Sequence, residues 1–247
     1  MAKVYAILGD IHANIDALRV VVEDARAMGV TDFLCVGDVV GYNAAPAECI
    51  RLVRDELACR HVVRGNHDHY VAYPDEVKLE DFHPAAASVV EWTRRQLTPS
   101  DAKWLHDLPL SCPVMGVTIV HSTLDMPDRW GYVFDDLQAD ANFVYQRTPL
   151  CFHGHTHVPI IYEKTASGLE HYAPQDFTVR LGQKLFINVG SVGQPRDGDP
   201  RASYVVYSPA DKSIRFRRLE YDVAAAQSRI RAAGLPERCA TRLEVGR

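Results

Sequence analysis

Three short apolar runs near the start of the chain, Lys3 to Gly9, Phe33 to Val36 and His61 to Val63, each lead into a glycine and a polar residue: Gly9-Asp10, Gly37-Asp38 and Gly65-Asn66. Helical patterns lie between them. Asn14 is placed to cap a helix whose Ile15, Leu18, Val21, Val22 and Ala25 share one face, and Gly29 ends it. Pro46 opens a second helix through Cys49, Ile50 and Val53. Strand-helix-strand alternation predicts right-handed crossovers and a largely parallel sheet. In an open α/β sheet the loops leaving the strand ends meet in one crevice, where ligands bind.

The remainder of the chain reads as helix over 84–97 and 99–108, then as a hairpin-like pair over 114–120 that ends at His121. A helix over 135–147 precedes a strand over 150–153, which leads into Gly154-His155. Strands are predicted over 158–162, 184–189, 203–207 and 213–219. Segment 168–182 reads as an inserted hairpin whose Tyr172 and Phe177 shape the pocket rim or a subunit contact. Asp222 caps what reads as the last helix, and the tail from Pro236 is left unassigned. With no repeat, low-complexity tract or linker, residues 1–247 are expected to form a single domain.

Charge and cysteine usage narrow the setting. A formal net charge of -5 argues against broad capture of nucleic acid or anionic lipid. No apolar run approaches the roughly 18 residues of a membrane span, and no signal-peptide core precedes Asp10. The 6 cysteines form no C-x-x-C pair and read as buried reduced thiols. A cytoplasmic location is therefore expected.

Polar residues at the strand ends carry the functional signal. Asp10, His12, Asp38, Asn66, His121, His155 and His157 all fall within a few residues of a strand-like run. Singly, each has an ordinary explanation as a turn former, a cap or an edge histidine. Together they are an oxygen and nitrogen donor set that suits Mn, Fe, Zn, Ni or Co. They are too many for one tetrahedral zinc with an open position. They suffice for two divalent ions if Asp38 bridges.

The blocks Gly9-Asp10-Ile11-His12, Gly37-Asp38, Gly65-Asn66-His67-Asp68, His121 and Gly154-His155-Thr156-His157 stand in an order that resembles the calcineurin-like metallophosphoesterases. The resemblance covers roughly residues 3–208 and is strongest to small prokaryotic phosphodiesterase-type members, through Asn188-Val189-Gly190-Ser191-Val192-Gly193 and the residues that follow. It departs at Ser122, where many members carry glycine. It implies an αββα sandwich, two mixed β-sheets flanked by helices. It also implies one metal on Asp10, His12, Asp38 and His157, and a second on Asp38, Asn66, His121 and His155.

The implied reaction is hydrolysis of a phosphate ester, phosphodiesters favoured, by hydroxide generated at the two-metal centre. His67 would protonate the leaving oxygen or stabilise the transition state, and Asp68 would orient its ring. Asn14, Arg64 and Arg196 are candidates to touch a small-molecule or nucleotide phosphoester, although Asn14 reads equally well as a helix cap and Arg196 as part of a charged turn. Trp92, Trp104 and Trp130 read as packing anchors. A serine/threonine protein phosphatase, a dinucleoside-polyphosphate hydrolase and a non-catalytic metal-binding scaffold remain as rivals. Homo-oligomerisation stays open.

Overall fold

A computed structural model describes residues 2–247. The chain begins β1 (Tyr5–Leu8), α1 (Ile15–Ala27), β2 (Asp32–Cys35), α2 (Pro46–Arg51), β3 (His61–Val62) and α3 (Asn66–Ala72). The middle comprises α4 (Pro84–Gln96), α5 (Pro99–Asp107), β4 (Ser111–Val114), β5 (Val117–Val120), α6 (Asp136–Tyr145) and β6 (Leu150–His153). Then follow β7 (Ile160–Thr165), β8 (Gly168–Tyr172), β9 (Phe177–Thr178), β10 (Lys184–Asn188), β11 (Ala202–Ser208) and β12 (Ser213–Leu219). Two helices close the chain, α7 (Val223–Ala232) and α8 (Glu237–Val245).

The strands form two mixed six-stranded sheets, ordered β3-β2-β1-β11-β12-β9 and β4-β5-β6-β10-β7-β8. Within them β1, β2 and β3 run parallel, as do β5, β6 and β10. Alternation of side chains along each strand divides the core into layers. Tyr5 and Ile7 of β1 face Ile119, Phe152 and Ile187 of the other sheet, whereas Ala6 and Leu8 face Leu18 and Val21 of α1. On the far side Cys151 and Phe186 pack against Ala139 and Phe143 of α6. This is the expected αββα sandwich. Among the described residues no helix is long and apolar enough to cross a membrane.

Local signals explain the helix starts. Asn14 accepts from Ala17 N–H at 3.1 Å, and Asp222 accepts from Ala225 N–H at 2.8 Å. Asp24 ties α1 to the first sheet by accepting from Tyr204 Oη at 2.6 Å and from Arg217 at 2.8 and 3.0 Å.

Asn66 opens α3, with Gly65 as N-cap. Two expectations are corrected. Segment 168–182 is not a hairpin: β8 pairs with β7, but β9 crosses to the other sheet and pairs with β12. Its partner Ser213 lies opposite Ser208, at the end of β11 remote from Asp10, so Phe177 closes the bottom of the inter-sheet core and does not rim the crevice, while Tyr172 of β8 packs against the same core. The helix after Asp222 is not the last, because Cys239, Ala240 and Leu243 of α8 bury one face against Ile230 and Leu235. That stripe of apolar residues spaced three and four apart was present in the tail all along.

Leu185 of β10 sits in the inter-sheet layer at 1% exposure, far from the crevice end of its strand. Leu185→Ala should cost about 2–5 kcal/mol in urea denaturation. A change under about 0.5 kcal/mol, the size of an ordinary surface substitution, would contradict this layer assignment.

Candidate metal centre

The crevice forms where the C-terminal ends of β1, β2, β3, β5, β6 and β10 meet. Beyond β1 and β2 the ladder continues: Asp10 N–H donates to Gly37 O at 3.1 Å and His12 N–H to Asp38 O at 2.9 Å. Asp10 then links the two sheets, its carboxylate accepting from His155 N–H at 3.0 and 3.2 Å. Asp38 accepts from His67 N–H at 2.8 Å, which fixes the start of α3 beside it. Both carboxylates lie so close to neighbouring backbone that a Cβ on Gly65 would overlap Asp38 and one on Gly154 would overlap Asp10.

Much of this backbone is strained. Asp10, His12, Asp38, His155 and His157 all hold positive φ, at 51°, 48°, 53°, 69° and 61°. Such conformations cost of order 1–3 kcal/mol each for residues other than glycine, and persist only where surrounding structure imposes them.

The donors gather in two groups that share Asp38. In the first, His12 Nε2 lies 3.1 Å from His157 Nε2 and 3.5 Å from Asp38 Oδ2, and His157 Nε2 is 3.3 Å from Asp10 Oδ1. In the second, His121 Nε2 is 3.1 Å from Asn66 Oδ1, 3.1 Å from His155 Nδ1 and 3.4 Å from Asp38 Oδ2. All seven residues are buried.

The second nitrogen of each ring decides what the first can do. His12 Nδ1 donates to Val40 O at 3.1 Å and His157 Nδ1 to Gln194 O at 2.6 Å. Burial holds both imidazoles far below the usual histidine range. Their Nε2 atoms are then two bare lone pairs 3.1 Å apart with no proton between them, an arrangement that a cation would relieve.

The second group is built differently. His121 Nδ1 donates to Val36 O at 2.9 Å and His155 Nε2 to Trp130 O at 2.9 Å. Burial pulls His121 down, but the Asp38 carboxylate outweighs it and raises the ring to about 9. A proton on His121 Nε2 therefore occupies the spot between Asp38, Asn66 and His155. A metal ion binding there must displace it. Burial followed by Asp38's charge pushes the Asp10 carboxyl up to about 7 once the lowering by His121 is included, so it too favours a cation alongside.

The other predicted residues fare unevenly. The His67 ring lies 5.0 Å from His12 and within the same donor cluster as Asp38. Asp68 does not orient it: the Asp68 carboxylate accepts from Val40 and Gly65 N–H groups at 3.1 and 3.0 Å, and His67 Nδ1 is buried without a partner. Asn14 is used up as a cap and as a donor to Gly193 O at 2.9 Å. Arg64 is drawn away to Tyr73 Oη and to His106 O at 2.9 Å. Arg196 stays beside the site, its backbone N–H donating to His157 O at 3.3 Å and its guanidinium to Gln194 Oε1 at 2.9 Å.

Aromatic residues beside the site were missed, Tyr42 and Trp130 among them. Tyr42 lies edge-on to His12 at 4.6 Å, and Trp130, expected as a packing anchor, lies 6.1 Å from His121. The Gly41-Tyr42 pair, close after Gly37-Asp38, was the available signal for the first. Trp130 sits in a loop with no such mark.

Adding Mn²⁺ or Zn²⁺ to metal-free protein should raise its thermal unfolding midpoint by an amount that grows with metal concentration. His12→Ala and His157→Ala should each weaken that response. A wild-type midpoint indifferent to metal would rule the donor cluster out as a metal site.

The geometry can now be set beside known proteins. A family model described as the calcineurin-like phosphoesterase superfamily domain matches residues 4–212. An uncharacterised protein of Methanocaldococcus jannaschii, MJ0912, is 36% identical over 98% of each chain. The crystal structure of a metallophosphoesterase from Sphaerobacter thermophilus superposes with a TM-score of 0.89 at 38% identity over 100% of both chains. The hypothetical protein PH1004 of Pyrococcus horikoshii shares the fold, with a TM-score of 0.78 at 19% identity over 99% of both chains. The strand-end donor set and these likenesses agree, and the chain belongs to the calcineurin-like phosphoesterase superfamily.

Proposed function

We propose that the protein hydrolyses phosphate esters with two divalent metal ions bound, phosphodiesters ahead of monoesters. The observation that carries the two-ion reading is the pair of donor groups meeting at Asp38. One brings the Nε2 atoms of His12 and His157 to 3.1 Å beside Asp10 and Asp38, and the other sets Asn66 Oδ1, His155 Nδ1 and Asp38 Oδ2 within 3.4 Å of His121 Nε2. Asp10, His12, Asp38 and His157 would hold one ion, and Asp38, Asn66, His121 and His155 the other. Such ions supply the positive charge that binds a phosphoryl group and makes water nucleophilic near neutral pH.

The chain's own residues do the rest. The carbonyls of Val40, Gln194, Val36 and Trp130 fix the ring orientation and tautomer of His12, His157, His121 and His155. Asn66 adds a neutral oxygen, so the donor set brings fewer negative charges than two dications bring positive ones, and a phosphate is attracted. His67 would stabilise the leaving oxygen in the transition state. Burial lowers it to about 4, so near neutral pH it donates a hydrogen bond as an uncharged ring and does not transfer a proton, and the ring lies between Tyr42 at 4.4 Å and Tyr70 at 5.7 Å. The diester preference rests on the likeness in the Asn188 to Gly193 stretch.

Purified protein reconstituted with metal should contain about two ions per chain and turn over nitrophenyl phosphate and bis-nitrophenyl phosphate only when metal is present. Folded, metal-loaded protein inactive across a broad phosphoester panel would favour a scaffold instead.

His67→Ala should retain both ions and lose roughly 10²–10⁴-fold in kcat. Loss of one ion would make His67 a ligand, and unchanged kcat would remove it from the mechanism.

A further inference from the structure

Beside the metal centre the chain holds two arginines that pair with no Asp or Glu side chain among the described residues. Arg196 and Arg242 place their guanidinium carbons 5.5 and 5.7 Å from the Tyr42 ring centroid. That ring in turn touches His12 at 4.6 Å and His67 at 4.4 Å. A cation–π contact is weak next to the repulsion of two like charges sharing one ring.

Counter-ions were close at hand. Asp197 and Asp199 lie in the same loop as Arg196, yet they pair with Arg218 and Arg201. Arg196 is left with the neutral Gln194 amide oxygen at 2.9 Å, its Nε buried without a partner, and Arg242 Nε donates to the main-chain oxygen of Arg247 and to no side chain. Burial and then the charge of Arg196 weigh against the protonated form of Arg242.

The arrangement is imposed by tertiary structure. Tyr42 holds φ at 59°, a strained value for an aromatic residue. The terminal helix α8 is fastened at both sides of Arg242. Leu243 and Ala240 are buried in a cluster onto which Tyr42 packs, and Gly246 O accepts from Gly198 N–H at 2.9 Å. Gly246 sits so close to Asp199 that a Cβ there would lie 2.8 Å from its backbone. The C-terminal helix is thus locked to the loop that carries Arg196.

We propose that Arg196, Tyr42 and Arg242 form an anion subsite beside the metal centre, selecting substrates that carry a second phosphate group in addition to the one hydrolysed. This rests on the phosphoester reading above. A guanidinium fork binds phosphate oxygens in pairs, and a bound phosphate would supply the counter-charge that the fold withholds. The α8 helix would then be a positioning element for specificity and more than a cover for the core.

The test is calorimetric titration of metal-loaded protein with AMP and with ADP. Wild-type protein should bind ADP about tenfold more tightly, a difference of about 1.4 kcal/mol. Arg242→Gln should remove most of that ratio, and Arg242→Lys should retain part of it. Equal affinities in the wild type overturn the subsite. So does an Arg242→Gln protein that melts earlier but keeps the ratio, because Arg242 would then only fasten α8. Should Arg242→Gln fail to fold, the wild-type ratio must still fall as ionic strength rises, and a salt-independent ratio overturns the proposal. Turnover of nitrophenyl phosphate separates the two readings. An inactive protein that prefers ADP keeps the subsite and loses the hydrolase; an active protein without the preference loses only the subsite.

Discussion

Two carboxylates removed from water set the terms for this fold. Asp10 and Asp38 are 0% and 1% exposed, at the seam where the two sheets meet. Burying an ionised carboxylate carries a penalty of several kcal/mol unless charge and hydrogen bonds answer it. The chain answers in part, with the His155 and His67 N–H groups and a proton on His121. The remainder of the compensation is left to cations. A metal ion bound here would counter charge that folding buries, and metal affinity and fold stability would then be linked quantities.

The same seam explains where the strain is kept. Positive φ at Asp10, His12, Asp38, His155 and His157 would not survive in a free loop. It survives because the strands that feed these residues are pinned on both faces, by the inter-sheet layer of Ile7, Ile119, Phe152 and Ile187 and by the outer layers under α1 and α6. Hydrogen bonds then extend the strand register into the loops, as between His12 and Asp38 or Val192 and Gly9. The donors hold their positions because the core does, and catalytic geometry of the kind such a site needs depends on that rigidity.

How much was legible beforehand depended on whether a residue's role was local. The Asn14 and Asp222 caps, the Pro46 and Pro99 helix starts and most strands followed from neighbours a few positions away. The cluster of seven donors was legible because each falls within four residues of a strand end, and parallel strands in one sheet deliver their ends to one edge. Adjacency misled where orientation mattered. Asp68 follows His67, yet as the third residue of α3 it turns back to cap Gly65. Arg64 precedes the same block, but its side chain is captured by Tyr73 and His106 on other elements.

Alternation of strand and helix was enough by itself to predict parallel strands whose ends share one crevice, and the residues following those strands to predict an oxygen and nitrogen donor set; the αββα class came with the resemblance that their blocks carry. Alternation and strand-end identity are properties of the chain's period and composition at fixed points. Tertiary structure alone decided that β9 would leave its expected hairpin for the other sheet, that Tyr42 would wall the crevice, and that the terminal helix would bring Arg242 to it. Those outcomes turn on contacts between segments far apart in sequence, whose energies depend on packing faces and on which carboxylates have already taken a partner. No local pattern records either.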